Sequence, residues 1–344
     1  MLSARAGRRA RGLARLALAA LLFLALASAA GAAAQEVRFF RIGTGGTAGT
    51  YFPVGALIAS AISNPPGSRP CDRGGSCGVP GLVAIVQSSD GSVENVERIG
   101  DGEFELALSQ ADIAYWAYRG TGLFADKGPI ENLRAIANLY PESIHVVVRR
   151  DAGIKGIAEL AGKRVSLGEK GSGTLVDAKA VLDAYGLAPT DIEARFLNPG
   201  ASSLMLAKGD LDAFFFVGGY PVSAVADLAR NVAIDLLPID GSEADTLVAF
   251  YPFFTRSTIP AGVYDGLGEV PTISIGAQLL VSADIDADTV YAITKALWND
   301  STHRLFEHGH EKAREIRIET ALDGIAIPLH PGAERYYREI GKIE

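Results

Sequence analysis

One local pattern is written twice along this chain, and that repetition constrains the fold more than any single motif does. From Arg41 the sequence reads RIGTGGTAGTYFPVG: an apolar run ends at Gly43, a Gly/Thr loop follows, and a helical pattern begins. From Arg164, RVSLGEKGSGTLVDAKAVLDAYGL repeats the plan, with Gly168 ending the strand and Val176, Ala180, Val181 and Ala184 marking the helix. Downstream, LVAIVQSSDGSVENVERIGDGEFELALSQAD is matched by IEARFLNPGASSLMLAKGDLDAFFFVGGYP. Each reads strand, small polar turn, helix, Gly-acid-x-acid, strand and second polar turn. The strands are continuous apolar runs, as in parallel sheets covered on both faces. The first copy exceeds the second by about the length of residues 64–80, a Gly/Pro-rich insertion with two cysteines. Two α/β lobes of similar wiring are expected, the first carrying that insertion.

In such sheets ligands bind beyond the carboxyl ends of the strands. Those ends fall at residues 44–51, 88–92, 109–112, 171–174, 199–203 and 218–221, where Gly, Ser, Thr, Gln and Tyr dominate. Facing loops of this composition make a cleft that shuts on a small polar molecule by hinge closure. A nucleotide reading of GTGGTA, residues 43–48, satisfies G-x-G-x-x-A but fails in context. The next strand ends in Gln87-Ser88-Ser89, where a dinucleotide site wants an acid. No Walker A sequence and no G-x-S-x-G elbow occurs, and the HGH of His308–His310 lacks the i, i+4 spacing of a helical zinc pair. No cofactor, metal or catalytic group is expected. An exported enzyme using the same cleft remains the alternative.

The first 34 residues indicate the compartment. Five arginines (Arg5, Arg8, Arg9, Arg11, Arg15) precede an apolar Leu/Ala run that ends in Ala32-x-Ala34. That is a signal-peptide pattern with cleavage expected before Gln35. The strongly apolar part is about 15 residues, short of the ~20 a permanent anchor needs. Removing it takes five of the 32 basic residues and none of the 40 acids, leaving a net charge of about −13. Nucleic acid is excluded as a partner for want of basic patches. In an oxidising compartment Cys71 and Cys77 are expected to form a disulfide that staples the insertion.

Seven blocks, in order, carry a family resemblance: GTGGTAGTYFPVG, QSSDGSVENVERIGDGEFELALSQADIAYWAYRGTG, LRAIANLYPESIHVVVRRDAGI, GSGTLVDAKAVL, DAFFFVGGYP, YPFFTRSTIPAGVY and ALDGIAIPLHPGAERYYRE. Together they resemble the TAXI family, the solute-binding proteins of TRAP transporters, from about Val37 to the C-terminus. The resemblance implies a type II periplasmic binding protein fold, two lobes with mixed parallel-type sheets joined by hinge crossovers. It implies a periplasmic, monomeric receptor for a small anionic or zwitterionic solute of the glutamate-like or 2-oxo acid type. It also implies delivery to large and small TRAP membrane subunits, separate or fused, driven by an ion gradient.

The expected domain plan is a signal peptide at 1–34, lobe I at 35–143 and 241–344, and lobe II at 144–240. Crossovers are placed near Tyr140–Val147 and Leu237–Gly241. The loops contain no arginine, and Arg149, Arg150 and Arg195 read as surface residues, so an anion would rest on helix N-termini, whose first N–H groups lack partners. Thr47, Thr50, Ser89, Ser92, Ser172 and Thr174 stand at such points. Each is either a ligand donor or a simple helix cap. Tyr51 and Tyr220, the latter beside Gly219, are expected to wall the cleft, and Gln110 to read a carboxyl or amide. Trp116 and Tyr118 read as packing residues.

Overall fold

The computed structural model describes residues 37–344, so the expected signal peptide and its cleavage site lie outside the described residues. In chain order, β1 (Arg38–Gly43) leads through α1 (Tyr51–Ile62) to the insertion. The insertion is bounded by the short parallel pair β2 (Ser63–Asn64) and β3 (Val79–Pro80) and crosslinked by the Cys71–Cys77 disulfide. Then come β4 (Leu82–Gln87), α2 (Ser92–Gly100), β5 (Leu106–Gln110) and α3 (Ala111–Arg119). The long β6 (Leu133–Arg149) leads to β7 (Arg164–Ser166), α4 (Gly173–Ala184), β8 (Glu193–Arg195), α5 (Pro199–Lys208) and β9 (Ala213–Gly218). The remainder is α6 (Ser223–Asn231), β10 (Ile234–Leu236), α7 (Gly241–Phe250), β11 (Thr255–Ile259), β12 (Val270–Ser282), α8 (Ala287–Leu297), α9 (Asp300–His308) and α10 (Pro331–Glu339).

Ten strands form one hydrogen-bonded sheet whose main path is β4-β1-β5-β12-β6-β9-β7-β8. The parallel sets β4-β1-β5 and β9-β7-β8 flank an antiparallel pair, β12 and β6, that runs through the middle. This is the two-lobed α/β architecture of the type II periplasmic binding proteins. The duplicated wiring reappears in atomic detail. The Arg41 backbone N, Nε and Nη2 donate to Glu105 at 2.6, 3.1 and 2.6 Å. The same three groups of Arg164 donate to Asp212 at 2.8, 3.1 and 2.6 Å. Each acid is the last residue of Gly-acid-x-acid, and each leading glycine, Gly102 and Gly209, holds a left-handed φ (72° and 79°) that a Cβ disfavours.

Apolar periodicity sorts into two sets of cores. Ile58, Ile42 and Leu108 pack with Tyr140, Ala277, Leu279 and Val281 in the first half. Val146, Val165, Val181 and Phe215 pack with Ile273 and Ile275 in the second. Burying one such side chain contributes about 1.5–3 kcal/mol. Strand β6 changes cores between Tyr140 and Ile144, and β12 changes between Ile275 and Ala277. These points are adjacent, since Pro141 pairs with Gly276 and Glu142 with Ile275. The return expected near Leu237–Gly241 is not made there. Ala244, Leu247 and Phe254 pack into the second core, and Ile259 and Tyr264 into its neighbour, so the chain stays with the second half until Gly276. The reason is local: the apolar face of α7 meets α4, and β11 pairs with the start of β12 before the crossing.

Candidate functional site

The two halves meet around a small cavity of about 40 Å³, closed down well below the roughly 300–1,000 Å³ of ligand-filled sites. It is lined by the N-termini of α1, α2 and α4, the loop before α1, and the strand ends on the far side. Of the residues singled out from sequence, Thr50, Tyr51, Ser92, Gln110, Ser172 and Thr174 line it. Thr47 and Ser89 do not; they border an adjacent groove, Thr47 exposed and Ser89 half-buried. The Ser89 hydroxyl lies 2.9 Å from the Thr44 carbonyl and 2.7 Å from Asn95 Oδ1, tying loops within the first half. Gly219 and Tyr220 stand behind the pocket wall, where the Lys312 ammonium sits 4.1 Å from the Tyr220 ring centroid. Trp116 and Tyr118 pack against the α2–α3 core as expected. Arg150 and Arg195 are exposed, Arg149 is half-buried, and all three pair with acids at the surface.

The candidate hydroxyls divide by partner. Ser172 caps α4, accepting from the Leu175 N–H at 3.1 Å. Thr50 stands at the N-cap of α1 but forms no side-chain cap; its hydroxyl donates to the Gly219 carbonyl of the other half at 2.6 Å. Thr174 Oγ1 accepts from the Val217 N–H at 3.1 Å. Ser92 Oγ accepts from the Gln110 N–H at 3.1 Å and lies 3.3 Å from Gln110 Oε1. Thus one of the six hydroxyls caps its own helix, four tie strands, loops and the two halves together, and that of Thr47 is exposed.

Contacts between the halves are close. The Gly171 carbonyl accepts from the Val93 and Glu94 N–H groups at 3.1 and 3.0 Å, occupying the first turn of α2. A Cβ at Gly173 would lie 1.3 Å from Gln110 Oε1, so only glycine admits this approach. Gln110 Nε2 donates to Asp177 of α4.

Sequence reasoning missed the carboxyls. Glu142, Glu169 and Asp90 line the pocket, whereas no lysine, arginine or histidine does among the described residues. Glu142 is 2% exposed and accepts from the Tyr51 hydroxyl at 2.7 Å. Burial pushes its carboxyl up to about 8, against the opposing pull of the Tyr51 hydrogen bond and the Lys312 charge. Burial, then the nearby Asp90 charge, pushes Glu169 up to about 7. Burial and Glu142 hold the Tyr51 phenol well above its ordinary range. Behind Gln110, Asp112 is pushed up to about 7 by burial, and Asp177 is raised by burial and by Asp112. The signal for Glu142 was present in the sequence: it is the one acid inside the apolar strand LRAIANLYPESIHVVVR. His145, on the same strand, is a core residue between the Ser143 carbonyl and the Tyr264 hydroxyl, each at 2.9 Å.

No helix among the described residues is long and apolar enough to cross a membrane. Among solved structures, the chain is similar to PhnD1 from Prochlorococcus marinus (MIT 9301) in complex with methylphosphonate. Identity there is 11% over 89% of this chain and 99% of that one, with a TM-score of 0.50. It is also similar to the alkanesulfonate-binding protein SsuA from Xanthomonas axonopodis pv. citri bound to MOPS, at 17% identity over 89% and 85%, with a TM-score of 0.48. These likenesses concern the fold. The profile of the NMT1-like family matches residues 42–341, nearly all of the described chain, and the protein belongs to the NMT1-like family.

Proposed function

We propose that this protein is an exported solute receptor, not an enzyme, that encloses one small polar molecule between its two halves and presents it to a membrane transporter. The observation that carries the reading is the pocket itself. Hydroxyls, an amide and carboxyls line it beside glycines and Phe216, it lies at strand carboxyl ends, and both halves contribute to it through α1, α2 and α4. The lobes in this reading are residues 38–140 with 277–344 and residues 144–275, pivoting where Pro141 pairs with Gly276. Thr50, Tyr51, Ser92, Gln110, Ser172 and Thr174 form the binding surface. Thr47, Ser89, Gly219 and Tyr220 are supporting residues.

The finer assignment, a TAXI-type receptor serving a TRAP permease in the periplasm, rests on the seven sequence blocks and the Arg-rich leader. The family match and the fold are compatible with it and equally with other transporter partners. Titration calorimetry of the mature protein against amino acids and organic acids tests the receptor reading, with recovery of the solute unchanged and at one per protein as the expected result. Uptake into vesicles carrying the partner permease tests the finer one. Dependence on an ion gradient without ATP supports TRAP coupling, and ATP dependence refutes it.

A further inference from the structure

The charge of the pocket is opposite to what an anion receptor needs. Glu142, Glu169 and Asp90 line it, no lysine, arginine or histidine does among the described residues, and the first N–H groups of α2 are already occupied by the Gly171 carbonyl. The nearby cation, Lys312, is fully buried and engaged, with its ammonium 2.9 Å from Glu315 Oε1 and over the Tyr220 ring. Glu142 lines the pocket from the pivot strand while almost wholly buried. Its Oε2 accepts from the Tyr51 hydroxyl, while its Oε1 is not among the sealed partnerless atoms of the described residues and stays open to the pocket. A carboxyl oxygen open to the pocket is a ready acceptor, and a cationic donor makes its strongest hydrogen bond there.

We propose that the captured solute carries a protonated amine and that this ammonium group is received by Oε1 of Glu142; the proposal rests on the solute-receptor reading above. The α1 and α4 N-termini across the pocket then serve a carboxylate or other acceptor on the same molecule.

Proton linkage follows from the site's surroundings. Glu142 faces Tyr51 from α1, Tyr140 on its own strand, Asp112 from α3, and Lys312 from the C-terminal segment, with Asp177 of α4 also within its field. Its carboxyl, held up to about 8, is mostly protonated at pH 7. An arriving ammonium favours the ionised form, so the carboxyl proton leaves to solvent as the solute binds. A solute meeting Glu142 through an anion instead requires that proton to stay and draws further protons in. The two chemistries therefore differ in the sign of proton exchange.

The test uses pairs that differ only at the amine, L-glutamate with 2-oxoglutarate and L-alanine with pyruvate, together with putrescine. Calorimetry at pH 7 in phosphate and in Tris reads both affinity and protons exchanged. The expected result is that an amine binds at least tenfold tighter than its oxo partner and releases most of one proton. Glu142→Gln should abolish that release and weaken binding at least tenfold while melting no earlier than wild type. The proton measurement on the unmodified protein stands even if the variant misfolds. An oxo acid binding as tightly as its amine, or net proton uptake, overturns the amine proposal and leaves the receptor reading intact. No binding by any of the five compounds overturns the amine proposal. No binding across the wider acid and amino-acid panel overturns the receptor reading as well.

Discussion

Asp112 of α3 and Asp177 of α4 come from opposite halves of the molecule and stand within hydrogen-bonding reach of one another, each fully buried. Oδ2 of the first and Oδ1 of the second have no partner among the described residues. A single proton shared between the two carboxyls satisfies both atoms and avoids two adjacent buried charges.

The sign of the pH dependence follows. Both folded-state values are raised by burial, Asp112 to about 7, above the ordinary value near 4. Stability from the pair is therefore full below pH ~4 and is lost as pH rises through ~7. Glu142 acts in the same direction. Thermal melts followed by circular dichroism should show the melting temperature falling from pH 5 to pH 8. Asp177→Asn, whose amide can donate to Asp112, should flatten that slope and add ~1–3 kcal/mol at pH 8. A wild-type curve that is flat or rising over this range contradicts the shared proton.

Thr47 and Thr50 are three positions apart in one loop, yet they should behave differently. The Thr50 hydroxyl donates across the halves to Gly219, a bond that the proposed opening of the halves would break. Thr50→Val should weaken solute binding about fivefold, the ~1 kcal/mol of one such bond, with the melting point of the open protein little changed. Thr47→Ala should leave affinity within twofold of wild type, since its side chain is exposed beside the neighbouring groove. Calorimetry on both variants decides the matter, and equal losses would show the pocket boundary to be misplaced.

Ser172 both lines the pocket and caps a helix. As the cap of α4 it should cost ~1 kcal/mol of stability when changed to alanine. Gly173→Ala, next to it, introduces a methyl where Gln110 must sit on closure. That variant should fold with near-wild-type stability and lose at least tenfold in affinity. X-ray scattering should show it remaining extended on addition of solute, and normal compaction would rule out the clash as a gate.

The Cys71–Cys77 bridge closes a short ring in the insertion, remote from the pocket-lining residues. Loop-closure entropy for so small a ring suggests about 2 kcal/mol. The double serine variant should therefore unfold at lower denaturant concentration and bind solute as wild type does. A large change in affinity with an intact fold would place the insertion in the binding event.

Local patterning made the strands, their polar ends and the duplicated plan legible. Tyr51, Ser92, Gln110, Ser172 and Thr174 line the pocket because small polar residues at strand ends have few other positions to occupy. Thr47 and Ser89 share that composition, but neighbouring residues on one loop point to different sides, and the sequence does not show which. Glu142 escaped because its importance comes from the pairing of β6 with β12, partners separated by more than a hundred positions in sequence. The second crossing was misplaced for a related reason. Apolar residues of α7 and β11 suit either core equally by pattern, and tertiary packing chose the second.

The position of Glu142 on β6 has a mechanical consequence. The strand pair that carries it is the pair that would flex if the halves separate as proposed, and Glu142 lies one residue from Pro141, opposite Ile275. The detector is thus mounted on its own axle. In the proposed receptor, a guest gripped there would stiffen the joint directly, so that one and the same segment would report occupancy and shape, with no relay in between.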